Sequence, residues 1–186
     1  MNKQIFWSLL LAMLLAAPAV CFGAEADAQT EAQAAFKSLY GEDVTRAMRT
    51  STTTDDIAVA GKLLEATGTS RSNLALLKII CDNAYDLGKR NAAGYEVALE
   101  AMNVLVANAP DQRAHGLDKI VTIHQLRYSR SKLADRPATA SVLFSAMMDA
   151  CDANAEAGDF LAAKLLCRKA SSLALSARMA EKDAAA

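Results

Sequence analysis

From Ser70 onward, apolar and small residues return every three or four positions, the spacing that places them on one face of an α-helix. Leu74, Leu77, Cys81, Ala84, Tyr85 and Gly88 form the first such face, and Tyr95, Ala98, Leu99, Met102, Leu105, Val106 and Ala109 the second, which Pro110 ends. Leu117, Ile120, Val121, His124 and Tyr128 share a third face, with Ile123 and Leu126 beside it. Pro137 suits the first turn of a fourth helix carrying Leu143, Ala146, Met147, Ala150 and Asn154. A last helix is predicted from Asp159 through Leu166 and Leu173 to about Met179. The linkers hold only a few residues, and short linkers force successive helices to run antiparallel.

Ahead of that region the pattern is weaker. A polar, Ala-rich helix is predicted over Asp27 to Leu39, ending near Gly41, with a short piece over Glu42 to Arg49. Thr53 or Thr54 then caps a helix whose Asp55 and Asp56 complement its positive N-terminal end, and Gly68 is placed at its stop. The divisions expected are a leader over 1–26, an N-terminal helical segment over 27–69, a helical-hairpin domain over 70–181 and a frayed tail over 182–186. Composition agrees: hydrophobic residues make up 53% of the chain but aromatics only 5%, and much of the rest is Ala, the strongest helix former. A β-sandwich would want alternating β-branched and aromatic residues. The fold class expected is all-α, a stack of antiparallel helical hairpins forming a solenoid or an irregular bundle.

Met1 to Ala26 reads as a secretory leader: Lys3 supplies a positive start, Ile5 to Ala17 an uncharged apolar run, and small residues follow Pro18. The run is shorter than the roughly 20 apolar residues of a membrane span, so no span is expected in the mature chain. Cleavage after Ala24-Glu25-Ala26 would release Asp27, and cleavage after Gly23 would release Ala24. Cys21 offers a competing fate, lipid attachment that would tether the protein to the envelope. The preceding Pro18-Ala19-Val20 lacks the Leu and the small final residue of a lipoprotein box, so a periplasmic or secreted soluble protein is the first expectation.

Removal of the leader leaves Cys81, Cys151 and Cys167. Cys151 and Cys167 flank Gly158 almost symmetrically and would meet across a hairpin, where a disulfide forms if their Cα atoms lie within about 7 Å; the competing reading makes all three cysteines small buried hydrophobes. His115 and His124 fall on opposite sides of one helix and cannot share a ligand; His124 sits on the apolar stripe and His115 is expected in solvent. Ser129-Arg130-Ser131-Lys132 spells the S-x-x-K of serine acylases without its companion motifs and at the wrong end of a helix. Glu96 and Glu100 share a helix face but have no evident cleft. With 20 basic and 21 acidic residues and a net charge of −1, the chain lacks the footprint of a nucleic-acid binder, and Arg127, Arg130, Lys132 and Arg136 read as a solvated helix end. No catalytic residue, cofactor or metal site is expected.

Two segments look alike. Gly94-Tyr95-Glu96-Val97-Ala98 leads to Met102, Leu105 and Pro110, and Gly158-Asp159-Phe160-Leu161-Ala162-Ala163 leads to Cys167 and Ala170. Aligning Tyr95 with Phe160 superposes Ala98 on Ala163, and the pattern resembles the second helix of a tetratricopeptide repeat. Ala84-Tyr85-Asp86-Leu87-Gly88 echoes part of the first-helix signature. The resemblance covers about two hairpins, and its spacing of 65 residues departs from two units of about 34. The stretches Cys81 to Pro110 and Ala157 to Ala170 are also similar to exported helical proteins of planctomycete-like bacteria, which lend no activity. A tetratricopeptide-type array implies a scaffold that binds a protein or peptide on its surface, with the envelope-anchored accessory as the alternative function. Replacing Ala98 or Ala163 by Leu is expected to overpack a helix pair at a cost of about 1–3 kcal/mol, while Ala185→Leu leaves the melting temperature unchanged; a thermal melt of the three variants checks this.

Overall fold

The computed structural model describes residues 19–50 and 53–184, with side chains over 26–50 and 53–177. Seven α-helices follow one another, and among the described residues there is no strand: α1 (Ala19–Arg49), α2 (Thr53–Ser70), α3 (Leu74–Gly88), α4 (Tyr95–Asn108), α5 (Arg113–Arg130), α6 (Arg136–Glu156) and α7 (Phe160–Ala184). Single 3₁₀ turns at Ala92–Gly94, Pro110–Gln112 and Leu133–Asp135 lead into α4, α5 and α6. The expected all-α class is therefore the observed one. Each helix packs on the next in sequence; α1 also meets α3 and α2 meets α4, so the N-terminal half is a bundle that passes into a row of hairpins. Most of the leader lies outside the described residues. Among those described, no helix is long and apolar enough to cross a membrane.

Several boundaries differ from the sequence reading, each for a physical reason. α1 runs unbroken through Gly41 and through the expected leader junction at Ala26, and α2 runs past Gly68 to Ser70. A mid-helix glycine costs about 1 kcal/mol, which burial of Val44 and Ala47 within the two turns beyond Gly41 offsets. The helix expected from Ser70 starts at Leu74, where the Asn73 side chain accepts from the Leu76 N–H. α5 follows directly on a 3₁₀ turn, and no side chain caps its first turn. At the far end α7 continues to Ala184, through most of the expected frayed tail. Phe36, Val44, Ala47, Val59 and Leu63 of the N-terminal segment belong to the same hydrophobic cluster as the later helices.

The two aligned turns have different surroundings. Tyr95 is 3% exposed, whereas Phe160 is 71% exposed, although Ala98, Ala163, Leu105 and Ala170 are all buried. Gly94 lies against Gly88, backbone on backbone: a Cβ there would fall 2.9 Å from the Gly88 Cα, and one on Gly88 would fall 2.8 Å from the Gly94 carbonyl oxygen. Gly158 instead has φ +82 and faces open space. It closes α6 in a Schellman motif, its N–H donating to Ala155 O at 3.0 Å and the Asp159 N–H to Asn154 O at 2.8 Å. The aromatic residues of the two turns are thus not equivalent, and the segments stand three helices apart, an odd number that a two-helix unit does not produce. The glycine contact is testable: Gly94→Ala should destabilise by about 1–3 kcal/mol because rigid backbone must move. Gly61→Ala, mid-helix with nothing within 4 Å of the new methyl, should stabilise by up to about 1 kcal/mol; urea unfolding of both variants reads the difference.

Candidate functional site

Two features of the C-terminal helices gather polar or exposed apolar groups. The first is a seam of charge that joins α3, α5 and α6. On α3, the Asp82 carboxylate accepts from Lys78 Nζ at 2.7 Å, one turn earlier, and from Lys119 Nζ of α5 at 2.8 Å. His115 Nε2, also on α5, lies 2.8 Å from the same carboxylate. Burial pushes the Asp82 carboxyl up, but the hydrogen bonds from Lys119, Lys78 and His115 outweigh it and bring the carboxyl down to about 2. Tyr85, one turn further along α3, lies beneath two cations, with Lys119 Nζ at 4.6 Å and Lys89 Nζ at 4.9 Å from its ring centroid. Such placement is attractive because the ring face is negative. Across α5, the Asn154 amide of α6 donates to Asp118 at 3.0 Å and to Ala150 O at 2.8 Å. Partial burial pushes the Asp118 carboxyl up, against the hydrogen bond from Asn154 and the charge of His115. A carboxylate that already receives three donors is a structural tie, with little capacity left to act as a base.

The second feature is a groove of about 490 Å³ running over α6 between α5 and α7. Its floor is Leu143 and Met147, its walls include Tyr128 and Leu165, and Arg168 and Lys169 stand on its rim. Leu165 is 48% exposed. A smaller groove of about 260 Å³ lies on the other side of the α6–α7 pair, between Pro137, Phe144 and Leu173. A larger space of about 610 Å³ is lined from Lys37 to Thr50, almost wholly by α1, and is therefore an open helix flank rather than a cleft.

His115, expected in solvent, is only 38% exposed because it reaches Asp82. His124 is half-buried, and burial with the nearby Arg127 charge pushes its pKa down. In the S-x-x-K segment, Ser129 Oγ donates to Leu126 O at 2.9 Å and Ser131 Oγ to Tyr128 O at 2.7 Å, so both hydroxyl protons are taken up by helix carbonyls. Glu96 holds Arg127 at 2.6 Å, and Arg130 sits 5.5 Å from the Tyr95 ring, so two of the four clustered cations tie α5 to α4. Cys151 and Cys167 are free thiols on facing helices, and Cys81 is a buried free thiol. The Cys21 side chain lies outside the described ones. Among the described residues no three of His, Cys, Asp and Glu converge as metal ligands do. No family model, curated protein or solved structure matches the chain.

Sequence reading missed Asp82 and Lys119, whose only local clue is Lys78 four residues before Asp82. Asp56, read from sequence only as a charge that complements the N-terminal end of its helix, has a further role. Asp56 is 1% exposed and accepts from Arg90 at 2.9 Å, tying α2 to the end of α3. The Asp82 tie has a signed pH dependence. The folded carboxyl ionises near 2 and an unfolded one near 3.9. The stabilisation is therefore complete above about pH 4 and lost as pH falls towards 2, amounting to about 2 kcal/mol. Asp82→Asn should lower the melting temperature at pH 7 and converge on the parent protein at pH 2, as calorimetry across that range would register.

Proposed function

We propose that the chain is an exported helical scaffold, without catalytic activity, that docks a protein or peptide partner in the groove over α6. The single observation that carries this reading is the groove itself: α5 and α7 flank α6, and Leu143 and Met147 lie beneath them with Leu165 left half-exposed. An amphipathic helix fits such a slot by laying its apolar face on the floor. Arg168 and Lys169 make no ion pair among the described residues, and no carboxylate lines the groove. The partner segment therefore carries acidic side chains along its edge, for charge complementarity. Export rests on the pattern of Lys3 and Ile5 to Ala17, and the absence of a saturable acid, base or nucleophile constellation in the groove supports binding over reaction.

A pull-down from the exported fraction with the full chain, Leu165→Asp and Arg168→Glu tests the proposal. One set of proteins should be retained by the parent and recovered at least about tenfold less with either variant, as expected at the centre of an interface. The variants change exposed groups, so their melting temperatures should stay within about 2 °C of the parent. Equal recovery by all three proteins would remove the groove from the function.

A further inference from the structure

We propose that Cys151 and Cys167 form a thiol–disulfide site, oxidised by a small-molecule or protein disulfide to a bond that staples α6 to α7. Three observations on the fold lead there. The Cys151 sulfur is buried in the α6–α7 interface and donates to the Ala163 carbonyl of α7 at 3.3 Å. Ala163 is four residues before Cys167, so that carbonyl is the one to which the Cys167 N–H donates within the helix. The sulfur of one helix therefore rests on the turn of the other that carries its partner. On the α7 side that interface holds Ala163 and Ala170, both buried, since α7 packs on α6. Helices in contact through side chains this small approach at the short end of the usual range of about 8–10 Å, and facing Cα atoms then come within the reach of about 7 Å that a disulfide needs.

The two thiols are inequivalent in a way that orders the chemistry. Cys167 is half-buried and open to an incoming disulfide, whereas Cys151 is 7% exposed. The Cys151 thiol is pushed up to about 11 by its hydrogen bond with the Cys167 side chain and by burial, which keeps it from attacking first. The Cys167 thiolate attacks a disulfide RS–SR, forming the mixed disulfide Cys167–S–SR and expelling RS⁻. Cys151 then loses its proton and attacks the Cys167 sulfur, closing the internal bond and expelling a second RS⁻. The oxidant gains two electrons and the two protons given up by the cysteines, leaving as two RSH. Cys81 does not compete: burial in the core pushes its thiol up to about 12, and it lies on α3, which does not pack on the α6–α7 pair.

The experiment uses the full chain treated with oxidised glutathione, then alkylated and mapped by mass spectrometry. A peptide linking Cys151 to Cys167 should appear, with the melting temperature rising by at least about 5 °C and falling back on reduction. In Cys151→Ser, Cys167 should accumulate as the glutathione mixed disulfide with no rise in melting temperature; in Cys167→Ser, Cys151 should stay unmodified. Both cysteines remaining alkylatable in the treated parent protein, or linking only between molecules, would overturn the proposal. So would an equal thermal shift in the Cys151→Ser protein.

Discussion

Close approach of helices through glycine and alanine is the constraint on which this architecture depends. At the α3–α4 turn Gly88 and Gly94 touch backbone to backbone, with no room for a side chain. At α4–α5, Gly116 lies against Val106 and the Met102 carbonyl. At α6–α7 the last helix brings buried Ala163 and Ala170 to its neighbour. Small residues forgo the apolar area that a leucine would bury, and the fold recovers it with larger side chains placed just beside the contact: Leu77, Ile80, Met102, Leu105, Ile123 and Leu143 are all essentially buried. Each of these close contacts joins neighbours in sequence.

Polar groups add ties of their own, some between elements that are not consecutive and some between neighbours. The Asp82 carboxylate reaches from α3 to α5, and Asn154 of α6 meets Asp118 of α5 from the other side. A buried or half-buried ion pair contributes modest net stability because its charges must leave water. Its larger effect is geometric: the bonds at Asp82 fix how far α3 and α5 are apart and how they are rotated.

How much of this was legible in the sequence follows from range. The three-to-four spacing identified Leu77, Cys81, Ala84 and Tyr85 on α3, and Leu143, Ala146, Met147, Ala150 and Asn154 on α6, and all are buried. Helix ends were less readable, because a glycine stops a helix only where tertiary packing does not carry it on; Gly41 lies mid-helix and Gly68 inside the last turn of α2. Leu74 shows the limit of periodicity from the other side, being on the apolar face by spacing yet 44% exposed in the first turn. The seam was invisible for a different reason: His115 and Lys119 meet Asp82 across 33 and 37 residues, and nothing in either segment alone marks the partner. The groove depends on the separation of α5 and α7, a property of helix placement that no local pattern encodes.

The succession of neighbour contacts has a bearing on how the molecule is made. The first helix packs on α2 and α3, and α2 chiefly on α3, so these three can collapse while α6 and α7 are still unsynthesised. Chains dominated by such local pairings have little loop entropy to overcome and reach the native state quickly. Assembly in this protein can proceed from one end as the polypeptide emerges, with the α6–α7 hairpin added last, as the closing course of a wall laid row upon row.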